Sequence, residues 1–140
     1  MIELCRLNLL QAPHLTCRPC GQSRIVCGVA IPAGVEAAVK SAVNEVYVSV
    51  ITPWEISIKA GLGKLAFDQD FLEDFDNHIR ALAFTPLPVK ATHGVAAGRL
   101  SGGNRDPFDR MLAAQAISEG LTWATADHGF REFPVTTMWS

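Results

Sequence analysis

Two short apolar runs constrain this chain more than any other feature. Val46-Tyr47-Val48-Ser49-Val50 and Leu121-Thr122-Trp123-Ala124-Thr125 are β-branched, aromatic or small almost throughout, as expected of strands covered on both faces. Such strands belong to parallel sheets, whose long crossover connections are helices. The segments between them have helical spacing. Val35, Ala38, Val39 and Ala42 form one stripe, broken at Asn44-Glu45. Thr52-Pro53 reads as the cap and first residue of a helix running through Lys59 to a stop at Gly61–Gly63. Asp68 and Asp70 open another, with Phe71, Leu72, Phe75, Ile79 and Leu82 as its apolar face. Pro86 and Pro88 make Phe84 to Val89 an edge strand or an extended connection. Thr92 caps a helix ending near Leu100, and Asp106-Pro107 caps another that stops at Gly120. Val135 to Trp139 is a last β-rich run. The reading is a single α/β domain with a mainly parallel sheet.

Composition narrows the function. With 49% hydrophobic and 19% charged residues in 140, the chain can fill a core without disulfides or metal. A formal charge of −2 and a pI near 6.0 exclude a generally polycationic nucleic-acid binder. No apolar run reaches membrane-spanning length, so no membrane role and a cytoplasmic location are expected.

Three acids occupy positions that stability alone would not select. Glu55 shares a helical face with Ile51, Ile58 and Leu62, just after a strand. Asp109 precedes Leu112, Ala113 and Ala116 on the apolar face of its helix. Asp127 follows the strand Leu121–Thr125 at its carboxyl end, where open α/β sheets bind ligands. Each has a structural alternative: Glu55 completing a capping box with Thr52, Asp109 favouring the helix dipole, and Asp127 forming an Asx turn into Gly129. Three carboxylates on one rim repel one another and make chemical sense around a hard cation, Mg²⁺ or Mn²⁺. Such an ion activates water against a phosphodiester. The four histidines, His14, His78, His93 and His128, show no catalytic spacing and read as surface or loop residues.

The local motifs have a recognisable likeness. Val46-Tyr47-Val48-Ser49 leading to Trp54-Glu55-Ile56-Ser57-Ile58-Lys59 and Gly63-Lys64-Leu65 resembles the middle of PIN-domain toxins of the VapC type. Arg105-Asp106-Pro107-Phe108-Asp109-Arg110-Met111-Leu112-Ala113-Ala114-Gln115-Ala116 resembles that family's third-acid helix, and Thr122-Trp123-Ala124-Thr125-Ala126-Asp127 its last strand and acid. The likeness runs over residues 33–139 and implies a three-layer PIN-like domain at 33–140. It also implies a magnesium-dependent endoribonuclease, the toxin of a type II toxin–antitoxin pair. Such a toxin forms a homodimer neutralised by a cognate VapB-like antitoxin. Carried over by position, Glu55, Asp109 and Asp127 are the catalytic and metal-binding acids, with Asp106 as alternative third acid and Thr125 supporting the site. Arg105 and Arg110 are the candidates for contacting RNA phosphate, each against the alternative of a solvated charge.

Residues 1–32 depart from that pattern. The family opens with a strand ending in a metal-binding Asp, yet no Asp precedes Asp68. Leu7-Asn8-Leu9-Leu10 is the candidate strand, and Gln11-Ala12-Pro13-His14 stands where its acid belongs. Cys5, Cys17, Cys20 and Cys27 all fall in this segment. Cys17-Arg18-Pro19-Cys20 is half a zinc site with no second half, so the thiols read as incidental. Back-translating Leu15 to Val26 two bases later permits an Asp followed by a Trp-bearing helix, which suggests that residues up to about Ile31 are read in a shifted frame. An uninterrupted family-like strand in another frame of the coding DNA is the expected sign, and its absence disposes of the idea.

Overall fold

A computed structural model describes residues 2–4, 31–64, 69–102 and 104–139. The opening strand expected at Leu7–Leu10, the cysteine pair Cys17/Cys20 and the shifted-frame segment lie outside the described residues, as does Asp68. Five strands form one sheet: β1 (Ile2–Leu4), β2 (Val46–Ser49), β3 (Thr85–Leu87), β4 (Thr122–Ala124) and β5 (Thr137–Met138). Their order is β3-β2-β1-β4-β5 and every pairing is parallel. The central strand is therefore β1, with Ile2 opposite both Val46 and Thr122. The sequence reading placed an opening strand later; three residues are too short a run to show a period.

Helices cover both faces, as the strand sequences require. On β4, Trp123 belongs to a core with Ile51, Leu112, Ala113, Ala116, Phe130 and Phe133, while its neighbour Ala124 packs with Val35. Alternation along the strand thus puts α2 (Ile51–Gly61) and α6 (Pro107–Glu119) on one face and α1 (Ala33–Lys40) on the other. Val48 of β2 packs with Phe71, Phe75 and Ile79 from α3 (Gln69–Glu73) and α4 (Phe75–Ala81). The single helix expected over this stretch is broken at Asp74. The three-layer α/β architecture matches the expectation, and no helix among the described residues is long and apolar enough to cross a membrane.

Helix α5 (Ala91–Arg99) begins at a Lys90 cap rather than the expected Thr92. It is fastened to the far end of α6 by His93. That ring is fully buried, with Nδ1 accepting from the Lys90 N–H and Nε2 donating to Glu119 Oε1 at 2.9 Å. His93 is thus a core residue, not the surface residue its sequence context suggested. Hydrogen bonds from Lys90 and then His93 hold the Glu119 carboxyl below its ordinary range. A depressed folded pKa contributes stability above the unfolded pKa and loses it as pH falls through the folded one. Melting temperature is therefore expected to drop on acidification through the carboxylate range, with Glu119→Gln flattening part of that profile. A variant that tracks wild type at every pH counts against the assignment.

Candidate active site

The strand order reverses direction between β1 and β4, and the crevice at their carboxyl ends is where doubly wound sheets take ligands. Three elements bring acids to that rim. Helix α2 leaves the carboxyl end of β2, so its first turns lie there. Helix α6 runs back toward the amino end of β4, to which Gly120 joins it, so its N-terminus lies there as well. The Asp127 turn follows β4 directly.

The start of α2 differs from the sequence reading. The helix begins at Ile51, its N-cap position is Val50, and Thr52 is buried in the first turn. Ser49 does the capping work instead: its Oγ accepts from the Ile51 N–H at 3.1 Å and donates to Gln115 Oε1 at 2.6 Å. Pro53 falls within the first turn, where a missing N–H costs nothing. Glu55 therefore lies in the second turn and is not part of a capping box. It is 6% exposed and pairs with Lys59 at 2.7 Å. The apolar residues expected beside it divide: Ile51 is buried, whereas Ile58 and Leu62 are exposed.

The start of α6 follows its local chemistry. Asp106 is the N-cap, accepting from the Phe108 and Asp109 N–H groups at 2.9 and 3.2 Å, and Pro107 opens the helix. Asp109 is 5% exposed, and the Asn104 side chain donates to its Oδ2 at 2.9 Å. An edge-on contact between Trp54 and Phe108, centroids 4.7 Å apart, sets the first turns of α2 and α6 side by side. Each ring is sequence neighbour to one of the two buried acids.

Buried Thr125 accepts from the Asp127 N–H at 3.0 Å, and Asp127 Oδ1 caps the following 3₁₀ turn (His128–Glu132) through the Gly129 N–H at 2.8 Å. Asp127 is exposed. A methyl group on Gly129 would stand 3.1 Å from Asp127 Oδ1 and 3.3 Å from Asn104 Nδ2. The two side chains therefore border one small space, which links the Asp127 turn to the α6 start.

Arg110 requires a correction. Its guanidinium donates to the carbonyls of Ala97, Leu100 and Asn104, fastening the loop before α6 to the end of α5. It is a structural clamp, not the phosphate contact or the solvated charge that the sequence offered. Arg105 is exposed. Asn104 stands outside every periodic run, and its position five residues before Asp109 carries no sequence signal for the contact it makes.

The acids suit a hard cation in kind, since Mg²⁺ takes one or two carboxylates and keeps several waters for substrate phosphate to replace. They do not form a closed cage: among the described residues no three His, Cys, Asp or Glu side chains are grouped to hold one ion.

The family model of the PIN domain matches residues 32–135. The chain belongs to the PIN domain family. Solved structures share this PIN fold. FitAB bound to an IR36 DNA fragment is 21% identical, covering 99% of this chain and 94% of that one, with a TM-score of 0.60. VapBC2 from Rickettsia felis, bound to a DNA fragment from its promoter, is 18% identical over 100% of both chains, with a TM-score of 0.58. FitAcB from Neisseria gonorrhoeae is 21% identical, covering 99% and 96%, with a TM-score of 0.56. No curated protein sequence matches this PIN domain.

Proposed function

We propose that this PIN domain is the toxin of a type II toxin–antitoxin pair and cleaves RNA by divalent-cation-assisted hydrolysis. The observation that carries the reading is the pair of buried carboxylates, Glu55 and Asp109, on adjoining helix starts, beside the Asp127 turn at the switch-point rim. Buried acids are seldom retained without a charge-related role. Asp109 and Asp127 would hold Mg²⁺ or Mn²⁺, which when bound supplies a nucleophilic water and offsets charge building on the phosphate. Glu55, paired with Lys59, would serve as a hydrogen-bond acceptor that orients the attacking water. Thr125 keeps the Asp127 turn in register, and exposed Arg105 meets the RNA backbone.

The partner half of the proposal draws on the solved likenesses, which are toxin–antitoxin assemblies bound to DNA or named with both components. It also draws on apolar surface: Trp54 and Ile58 on α2 and Leu62 at its C-cap, four residues apart, are 57%, 40% and 63% exposed. A VapB-like antitoxin is the proposed cover, on a homodimeric, cytoplasmic toxin.

A second reading has one observation behind it. Strand β1 ends at Leu4, and the next residue in the sequence is Cys5, where the family pattern puts an Asp. A chain lacking that acid could bind antitoxin without cleaving. Purified protein with labelled RNA separates the two: Mg²⁺-dependent cleavage abolished by EDTA is expected. Cleavage that persists in EDTA sinks the cation's role, and a folded, antitoxin-binding protein that never cleaves establishes the second reading.

A further inference from the structure

We infer that Asn104 is the positioning residue that fixes the Asp109 carboxylate at the rim. Its carboxamide is used at both ends. Oδ1 accepts from the Asp106 N–H at 2.9 Å, and Nδ2 donates to Asp109 Oδ2 at 2.9 Å. With the acceptor end tied to the backbone of the α6 cap, the amide cannot turn over without losing both bonds, so the donor has one direction.

Its backbone is anchored as well. The Asn104 carbonyl accepts from Arg110 Nη1 at 3.1 Å, and the same guanidinium holds the carbonyls of Ala97 and Leu100. A continuous line of polar contacts thus runs from the end of α5 through Arg110 and Asn104 to the acid. The same Nδ2 borders the space beside Gly129 that Asp127 Oδ1 also borders.

The choice of side chain matters. A neutral amide orients a carboxylate and leaves its full negative charge, whereas the ammonium of Lys59 beside Glu55 offsets the charge it holds. Partners in this outer position commonly matter 10–100-fold.

The catalytic meaning of this geometry rests on the nuclease reading above, so the test has two arms. Asn104→Asp keeps the oxygen that accepts from Asp106 and removes the donor to Asp109, while Asn104→Ala removes both. In RNA cleavage both variants are expected to lower kcat by roughly 10–100-fold, with KM for RNA and the circular dichroism spectrum little changed. Wild-type kcat in Asn104→Asp overturns the positioning role. The second arm reads the bond without catalysis: the Asn104 side-chain amide protons should exchange slowly with water in the nuclear magnetic resonance spectrum and shift in Asp109→Ala, which removes their acceptor. Amide signals indifferent to that change overturn the bond itself. If wild-type protein cleaves no RNA, the nuclease reading fails, and the amide signals still decide whether Asn104 aims Asp109.

Discussion

Asp109→Asn is expected to lower RNA cleavage by roughly 10²–10³-fold, the scale for removing one preorganised charge contact from an active site. The substitution preserves shape: Asp106 still caps the backbone N–H of residue 109, and the amide still offers an oxygen to Asn104. What disappears is the negative charge. The helix start loses a favourable dipole contact of about 0.3–1 kcal/mol, too little to unfold the domain. The test is therefore kcat/KM beside a thermal melt. Loss of cleavage with a melting temperature near wild type supports a chemical role for Asp109, whereas a variant that cleaves normally removes this acid from the site. Asp106→Ala should behave oppositely. Its carboxylate is occupied in capping α6, so its loss is read first in stability, at about 1 kcal/mol.

The largest stability effect should come from Trp123→Ala, at about 3–5 kcal/mol. Trp123 is fully buried, with its ring centroid 3.9 Å from that of Phe130, and it sits in the core that joins α2, α6 and the turn after β4. Alanine there removes most of a large apolar side chain and leaves a void that a sheet packed on both faces cannot close. The melting temperature should fall by at least about 10 °C. A fall of only a few degrees would show that the layer between β4 and α6 collapses more easily than its burial implies. Because Phe130 lies on the loop that carries Asp127, the variant that survives should also show a disturbed rim.

What could be read directly from the sequence was local chemistry. The N-cap at Asp106, the proline at the first helical position and the left-handed Gly120 define α6 within a few neighbouring residues. The strands β2 and β4 were legible as apolar runs, and with them the parallel sheet. The features that escaped depend on residues far apart in the chain. Ser49 becomes the cap of α2 only because Gln115, 66 positions later, accepts its hydroxyl proton. His93 reads as a surface residue until Glu119, 26 positions away, is brought to its Nε2. Of the candidate site, Glu55 and Asp109 were found by their place on inward helix faces, but Asn104 has no periodicity to mark it. The role of Arg110 likewise depends on where the end of α5 lies.

The strand order also governs when the molecule can come into being. Strand β1 is made first, yet it pairs with residues 46–47 on one side and 122–124 on the other. Its partner β4 lies more than a hundred residues further along the chain, at Thr122–Ala124. Pairings of such long range make folding slow, because loop closure must precede the contacts that reward it. During synthesis β1 must therefore wait, paired on one side only, until residues 122–124 have been made. The crevice between β1 and β4 does not exist in any shorter product. Premature termination before residue 122 would yield chains that carry Glu55 and Asp109 but no rim on which to gather them.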